Sequence, residues 1–500
     1  MFERSESYKN RQEDFVANIT GTTPLEVFGL SMSVVLVPLV EVVLKRSLFG
    51  RLWNDSGRVG MALEVFLRTM FYFLIQTSMI LNYPIIGKSF SWNLVLLWLC
   101  MMVVIYLGNT MGLFQPVPTE KTKQTDNKHV PFISEYRYSM QFSTIMAILM
   151  VDFQIFPRRL AKAETFGYSL MDLGVGSFVF SGAIVSNASR RALQGVSPPK
   201  LTLSKFIHSL LPLTVLAFFR FVFVKTLSYQ SHVSEYGIHW NFFTTLAFLY
   251  LFSTIIDAIN LTRNWKTTLV TSLICILLQQ VLLSNFGLQE TIFHAERSNF
   301  LLANKEGFGT LLGYLSIHLV GVCFGQFTFT YYSSLRFYLK SSAILSVGLV
   351  LLSFLPFYML GGQQAILPPT GSIYNTYSYQ INSSFFQENN TWFSILIPSR
   401  RMTNFGYIVW VASFNVTLIV LFVLVSQILK PISYNSMLRD AMNFNPLFSF
   451  LFSNIMTGLI NLTMQTLDAN WMKSSLIILT YGGVSSIVAL ILFHRKRKVF

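Results

Sequence analysis

Residues 405–429 read FGYIVWVASFNVTLIVLFVLVSQIL, 25 residues without one charged side chain. About 20 mostly apolar residues in helical form cross the hydrocarbon of a bilayer, so this stretch alone is long enough to span one. Working outward along the chain, comparable runs lie near 27–44, 62–83, 91–112, 139–157, 169–187, 204–225, 241–259, 267–285, 309–330, 341–361, 444–466 and 474–493. The sequence therefore predicts an all-α fold, a polytopic membrane helix bundle with thirteen transmembrane helices. Residues 1–500 read as a single multi-pass domain, with a polar N-terminus at 1–26 and a basic tail at 494–500. The runs at 139–157 and 169–187 carry polar interruptions.

Composition agrees. Of the 500 residues, 52% are hydrophobic and 12% charged, against about 25% charged in soluble domains. A soluble fold this apolar would expose large sticky patches. The net charge of +15 does not indicate nucleic acid, because the basic residues are scattered through short loops between apolar runs. There they set topology and meet anionic lipid headgroups. Cys100, Cys275 and Cys323 each sit inside an apolar run, with no metal-ligand spacing and no disulfide framework. Met1 to Thr23 is polar and lacks a signal-peptide pattern, so the first run reads as a retained helix that directs insertion.

Thirteen crossings put the termini on opposite sides. The tail His494-Arg495-Lys496-Arg497-Lys498 is strongly basic, which places the C-terminus in the cytosol. On that orientation 22 loop and terminal Lys and Arg residues are cytosolic and 13 are not, with Arg68 and Arg220 inside helices. The sequons at Asn18, Asn382 and Asn389 fall on the non-cytosolic side. Lys496 and Lys498 resemble a dilysine retrieval signal of the endoplasmic reticulum; an ordinary basic anchor explains them equally well.

Ionisable residues within or beside spanning helices are costly and usually functional. Here they gather at one end of their helices. Asp152 closes the fourth run, and Arg158, Arg159, Lys162 and Glu164 follow it. Asp172 opens the fifth. Glu235, His239 and Asn241 precede the seventh, Asn304 and Glu306 the ninth, and Arg400 and Arg401 the eleventh. All fall at the non-cytosolic end, as if around one polar cavity. Arg158, Arg159, Lys162, Arg400 and Arg401 oppose the positive-inside trend, which makes them candidates for binding phosphate. Interfacial anchors or inter-helix salt bridges are the plainer alternatives. There is no P-loop, dinucleotide fingerprint, His-Glu-x-x-His or Gly-x-Ser-x-Gly, and nothing indicates a metal or redox cofactor. A carboxylate near a lysine and a histidine can move a hydroxyl proton. Asp152 is a candidate base, with Lys162 ten residues on to hold it ionised or to stabilise an oxyanion; a structural ion pair is the alternative.

The stretch AILMVDFQIFPRRLAKAETFGYSLMDLGVGSFVFSGAIV (147–185) resembles the signature of the GPI-anchor inositol acyltransferases, the phosphatidylinositol-glycan class W or fungal Gwt family. YQSHVSEYGIHWNFF (229–243) is similar to a second block of that family, and Asn304 to Gly307, Ser399 to Arg401 and Ser453 to Leu462 to three more. Gln154 departs from the pattern, where the family has proline. The resemblance implies an endoplasmic-reticulum membrane enzyme of thirteen spans with lumenal polar positions. Such an enzyme moves a fatty acyl chain, typically palmitoyl, from acyl-CoA as co-substrate to the inositol of glucosaminyl-phosphatidylinositol. It also implies an acid–lysine pair, here Asp152 and Lys162, and substrate contacts that take in Asn454. A lipid transporter or flippase, or a non-catalytic subunit of a glycolipid-processing complex, also fits a polytopic bundle. A transporter needs deep midplane charges, and few occur beyond Glu41, Glu64, Arg68, Arg220 and Asp257.

Overall fold

The computed structural model describes residues 21–47, 58–74, 130–194, 210–219, 233–359, 391–429 and 436–497, with isolated positions at 8–19 and 103–110. Every regular element among them is helical. Eight described helices are long and apolar enough to cross a membrane: Pro24–Glu41, Leu170–Arg191, Trp265–Asn285, Lys305–Tyr331, Leu335–Met359, Phe405–Gln427, Pro446–Thr463 and Trp471–His494. The expected run at 241–259 is the helix Phe242–Ala258, 17 residues long. The run at 91–112 lies outside the described residues apart from isolated positions, as do the end of 62–83 and most of 204–225. Cys100, Arg220, the three sequon asparagines and Lys498 also lie outside them.

The fourth run shows where hydropathy misplaces a helix. It was expected over 139–157, but the helix is Pro131–Met150. Its front is polar, yet Glu135 is buried, paired at 2.9 Å with Arg68 of the Arg58–Tyr72 helix. Arg68 also holds Glu41 at 2.6 Å and lies 4.8 Å from the Tyr138 ring centroid. Charge neutralised in this way can be buried, which no apolarity average detects. Glu64 accepts from the Ser436 hydroxyl and the Leu438 amide at the start of Met437–Phe444, where the helix dipole favours an anion.

The chain forms two compact units. One comprises Met1–Ala17, Thr22–Ala161 and Leu418–Phe500; the other comprises Asn18–Gly21 and Lys162–Thr417. In the first, Pro131–Met150, Pro446–Thr463 and Trp471–His494 pack together with Arg58–Tyr72 and Met437–Phe444. In the second, the 27-residue helix Lys305–Tyr331 packs against Leu170–Ala183, Asn187–Gln194, Phe242–Ala258 and Trp265–Asn285. Small residues let backbones approach closely. At Gly313 a Cβ would stand 2.0 Å from Thr403 Oγ1 and 2.6 Å from the Thr403 carbonyl oxygen. Leu335–Met359 turns Ile344, Val347, Leu351 and Leu355 outward, as a lipid-facing helix does. Asp257, another deep charge, is paired with Arg191 and accepts from Thr262. Gly313→Ala should overpack the Thr403 contact and cost ~1–3 kcal/mol, read as a lower Tm of the detergent-purified protein. An unchanged Tm would show that the loop yields without cost.

Candidate functional site

In the first unit the Pro131–Met150 helix ends in tight turns. The Asp152 and Phe153 amides bond back to the Leu149 and Met150 carbonyls. Pro157 has no amide hydrogen to continue the helix. Carbonyls past a helix end also need donors, and Arg158 supplies two of them, reaching Val151 O at 2.7 Å and Phe156 O at 3.3 Å. Its guanidinium lies 3.6 Å from the Phe15 ring centroid. Burial pushes the Arg158 pKa down to about 9, with Asp152 opposing the shift, so the group stays charged at neutral pH. Arg159 grips Glu26 through Nε and Nη2 at 2.8–3.2 Å. Half-buried Asp152 accepts from Asn461 Nδ2 at 2.7 Å.

The second unit carries a row of alternating charges. Lys162 Nζ lies 2.7 Å from Glu235 Oε1, and Arg400 Nη1 lies 3.4 Å from the same oxygen. Arg400 Nε reaches Asp172 Oδ1 at 2.8 Å. Exposure falls along the row, with side chains 38% exposed at Lys162 and 19% at Glu235, then 6% at Arg400 and 3% at Asp172. Burial opposes the charge on Arg400, but Glu235 and then Asp172 outweigh it and raise its pKa above the ordinary value. Ser169 caps Leu170–Ala183 by accepting the Asp172 amide, and Asp172 Oδ2 accepts the Ala163 amide at 3.0 Å. A cap residue that orders the first turn thus fixes the carboxylate. Tyr407 OH donates to the Asp172 carbonyl at 2.7 Å.

The loop carrying Arg400 is held by Asn404. Its Oδ1 accepts the Ser399 and Tyr407 amides, and its Nδ2 donates to the Ser394 and Ile397 carbonyls. Beside it, fully buried Glu306 takes Arg297 at 2.5 Å and Arg401 at 3.0 Å. Asn304 Oδ1 accepts the His239 amide at 2.8 Å. Gly237 lies at φ +112°, where an added Cβ would strike the Asn304 Cα at 2.6 Å, so only glycine brings this segment onto the Lys305 helix.

Most of the sequence-predicted residues therefore fall into three sets. Lys162, Asp172, Glu235 and Arg400 come together. Glu306 and Arg401 form a second ion cluster, with Asn304 and His239 paired nearby. Asp152 and Arg158 interact in the first unit, where Arg159 is tied to Glu26. Glu164 and His239 are exposed. Asn241 caps Phe242–Ala258 through the Phe243 and Thr244 amides, and Asn454 donates to Phe450 O on its own helix. Sequence reasoning passed over Glu26, Arg297, Tyr407 and Asn461. Glu26 had a local signal, since Thr23-Pro24-x-Glu26 is a capping pattern, and Asn461 lies in the stretch Ser453 to Leu462 that resembles a family block, whereas Arg297 and Tyr407 are joined to the site only by tertiary packing. Among the described residues no group of His, Cys, Asp and Glu could hold a metal.

Membrane-length helices whose ionisable residues are paired at helix ends define a polytopic helical membrane protein. A family model described as GWT1 matches residues 8–492. The chain is 30% identical to the phosphatidylinositol-glycan biosynthesis class W protein of Dictyostelium discoideum, over 98% of each chain. It is 33% identical to GPI-anchored wall transfer protein 1 of Candida albicans, over 98% of this chain and 99% of that one. It is 32% identical to the Saccharomyces cerevisiae protein of that name, over 98% of each. The chain belongs to the GWT1 family. It is a membrane acyltransferase of GPI-anchor biosynthesis, acting on the inositol of the glycolipid.

Removing one partner of a buried ion pair strands the other. Asp172→Ala should therefore cost ~3–5 kcal/mol, seen as a large fall in Tm, with Asp172→Asn milder because it keeps an acceptor for Arg400. Equal Tm values for Asp172→Ala and the parent protein would contradict the pairing.

Proposed function

We propose that the chain is a single multi-pass domain of thirteen spans in the endoplasmic-reticulum membrane, N-terminus lumenal and C-terminus cytosolic. It transfers a fatty acyl chain, palmitoyl in the typical case, from acyl-CoA to the inositol of glucosaminyl-phosphatidylinositol. Membership of the GWT1 family supports the substrates. Eight long apolar helices and the shorter apolar helix Phe242–Ala258 account for nine of these spans; the runs at 62–83, 91–112, 139–157 and 204–225 bring the count to thirteen from sequence. The basic tail and the loop charges support the orientation.

Asp152 takes the proton of an inositol hydroxyl as that oxygen attacks the thioester carbonyl. The tetrahedral intermediate then collapses, the carbon–sulfur bond breaks, and CoA leaves as a thiolate that gains a proton. Lys162 stabilises the oxyanion of the intermediate. Both residues stand in the one loop between the Pro131–Met150 and Leu170–Ala183 helices. The observation that carries this reading is the Lys162–Glu235–Arg400–Asp172 row. It presents one partly exposed ammonium to a reaction and backs it with progressively buried partners. A cation placed in advance where negative charge develops costs no reorganisation during reaction.

Arg158 and Arg159 are engaged by protein groups, so their part is to shape the loop as well as to favour a phosphate nearby. Arg400 and Arg401 add positive charge for the phosphates of the glycolipid or of CoA, together with Arg297, which is 25% exposed. Exposed Glu164 and His239 are suited to sugar hydroxyls, while Asn241 caps Phe242–Ala258 and Asn304 holds the His239 amide.

The test is acyl transfer by the purified single chain given palmitoyl-CoA and glucosaminyl-phosphatidylinositol. Asp152→Asn and Lys162→Ala should each lower turnover by ~10²–10⁴, the range for loss of a positioned acid–base group. Normal turnover in both, at normal expression, would sink the assignment and make His239 the first candidate base.

A further inference from the structure

Asp152 stands in an awkward place for an anion. It lies just past the C-terminus of Pro131–Met150, with its own amide bonded to Leu149 O. The carbonyl end of a helix carries partial negative charge and disfavours a carboxylate there. A side chain that must be ionised to accept a proton therefore needs donors from elsewhere. One is the Arg158 charge. Another comes from a different helix: Asn461, near the end of Pro446–Thr463, is 4% exposed and donates from Nδ2 to Asp152 Oδ2 at 2.7 Å.

The Asn461 amide is itself held. Its Oδ1 accepts from the hydroxyl of Thr466 at 3.5 Å, and Thr466 is 1% exposed. Thr466 opens the short turn Thr466–Asp468, whose Leu467 amide donates to Tyr8 OH. A hydroxyl on the carbonyl oxygen fixes which way the amide faces, so the N–H side points at Asp152. An amide that merely filled space would need neither the short contact to a carboxylate nor a partner that sets its orientation.

We infer that Asn461 is a positioning residue of the acyl transfer, holding Asp152 in the ionised, proton-accepting form, and that Thr466 orients it. The inference rests on the reading of Asp152 as general base. Besides Asn461, Arg158 from the following turn and Tyr481 from Trp471–His494 are titratable or charged groups that act on Asp152. Neither is altered by the substitutions below.

A hydrogen bond to the charged form favours that form, so losing it makes Asp152 a proton acceptor only at higher pH. The experiment measures kcat for acyl transfer across a pH series, with purified full-length Asn461→Leu, Asn461→Asp, Thr466→Val and Asp152→Asn. In Asn461→Leu the acid limb should move up by about one to two pH units, as expected for a lost hydrogen bond to a charge, and the rate should recover at higher pH. In Asn461→Asp a second carboxylate faces the first, and the limb should move further. Thr466→Val should move it in the same direction by less, and it decides the matter if the Asn461 variants do not fold.

A rate lowered evenly at every pH, with the acid limb in place in Asn461→Leu and Thr466→Val, overturns the inference and leaves a structural contact. Asp152→Asn separates the two claims. If it loses turnover while the Asn461 limb stays fixed, only the role of Asn461 fails. If it keeps turnover, the base assignment fails and the inference falls with it.

Discussion

The buried pair of Arg400 and Asp172 is the tie on which the second unit's site depends. A guanidinium in a low-dielectric interior is tolerated only when its charge is met and its donors are used. Asp172 meets it from the first turn of Leu170–Ala183, and Glu235 from the segment before Phe242–Ala258. One cation thus fastens the starts of two helices to the loop that opens a third, Phe405–Leu429. Asn404 holds that loop from inside through four backbone groups. Lys162 then needs only Glu235 to be placed, and it keeps a face toward solvent.

The first unit solves a related problem with different parts. The Pro131–Met150 helix ends where an acid follows, and Arg158 takes the Val151 carbonyl just past that end while lending charge to Asp152. Arg159 spends its charge on Glu26 and so ties the loop to the first apolar helix. Neighbouring arginines that look alike in sequence thereby do different work: one braces the turn beside Asp152, and the other anchors the loop.

Much of this was legible before any coordinates. Long apolar runs such as 405–429 and 474–493 declare themselves, because lipid leaves no other use for them. The cluster of Asp172, Glu235 and Arg400 was legible as residue types at helix ends, and the structure adds who holds whom. The start of Pro131–Met150 was misplaced because Glu135 is buried by pairing with Arg68, and pairing between distant segments leaves no local trace. Asn461 lies in the stretch Ser453 to Leu462 that resembles a family block, but nothing local singles it out until the carboxylate it serves, 309 positions away in sequence, is known. Asn454 and Asn241 show the converse: expected among the substrate contacts, Asn454 bonds within its own helix, and Asn241 caps Phe242–Ala258 and donates to the Ala217 carbonyl.

The central claim is that Lys162 works as a member of a row, with its charge placed by Glu235 and through it by Arg400 and Asp172. A double-mutant cycle on kcat, using Lys162→Ala, Glu235→Ala and the double variant of the purified enzyme, tests it most directly. The account predicts strong coupling, with the double variant little worse than Lys162→Ala alone, because Glu235 acts by placing a lysine that is no longer there. Effects that simply multiply, each substitution costing the same with or without the other, would contradict it.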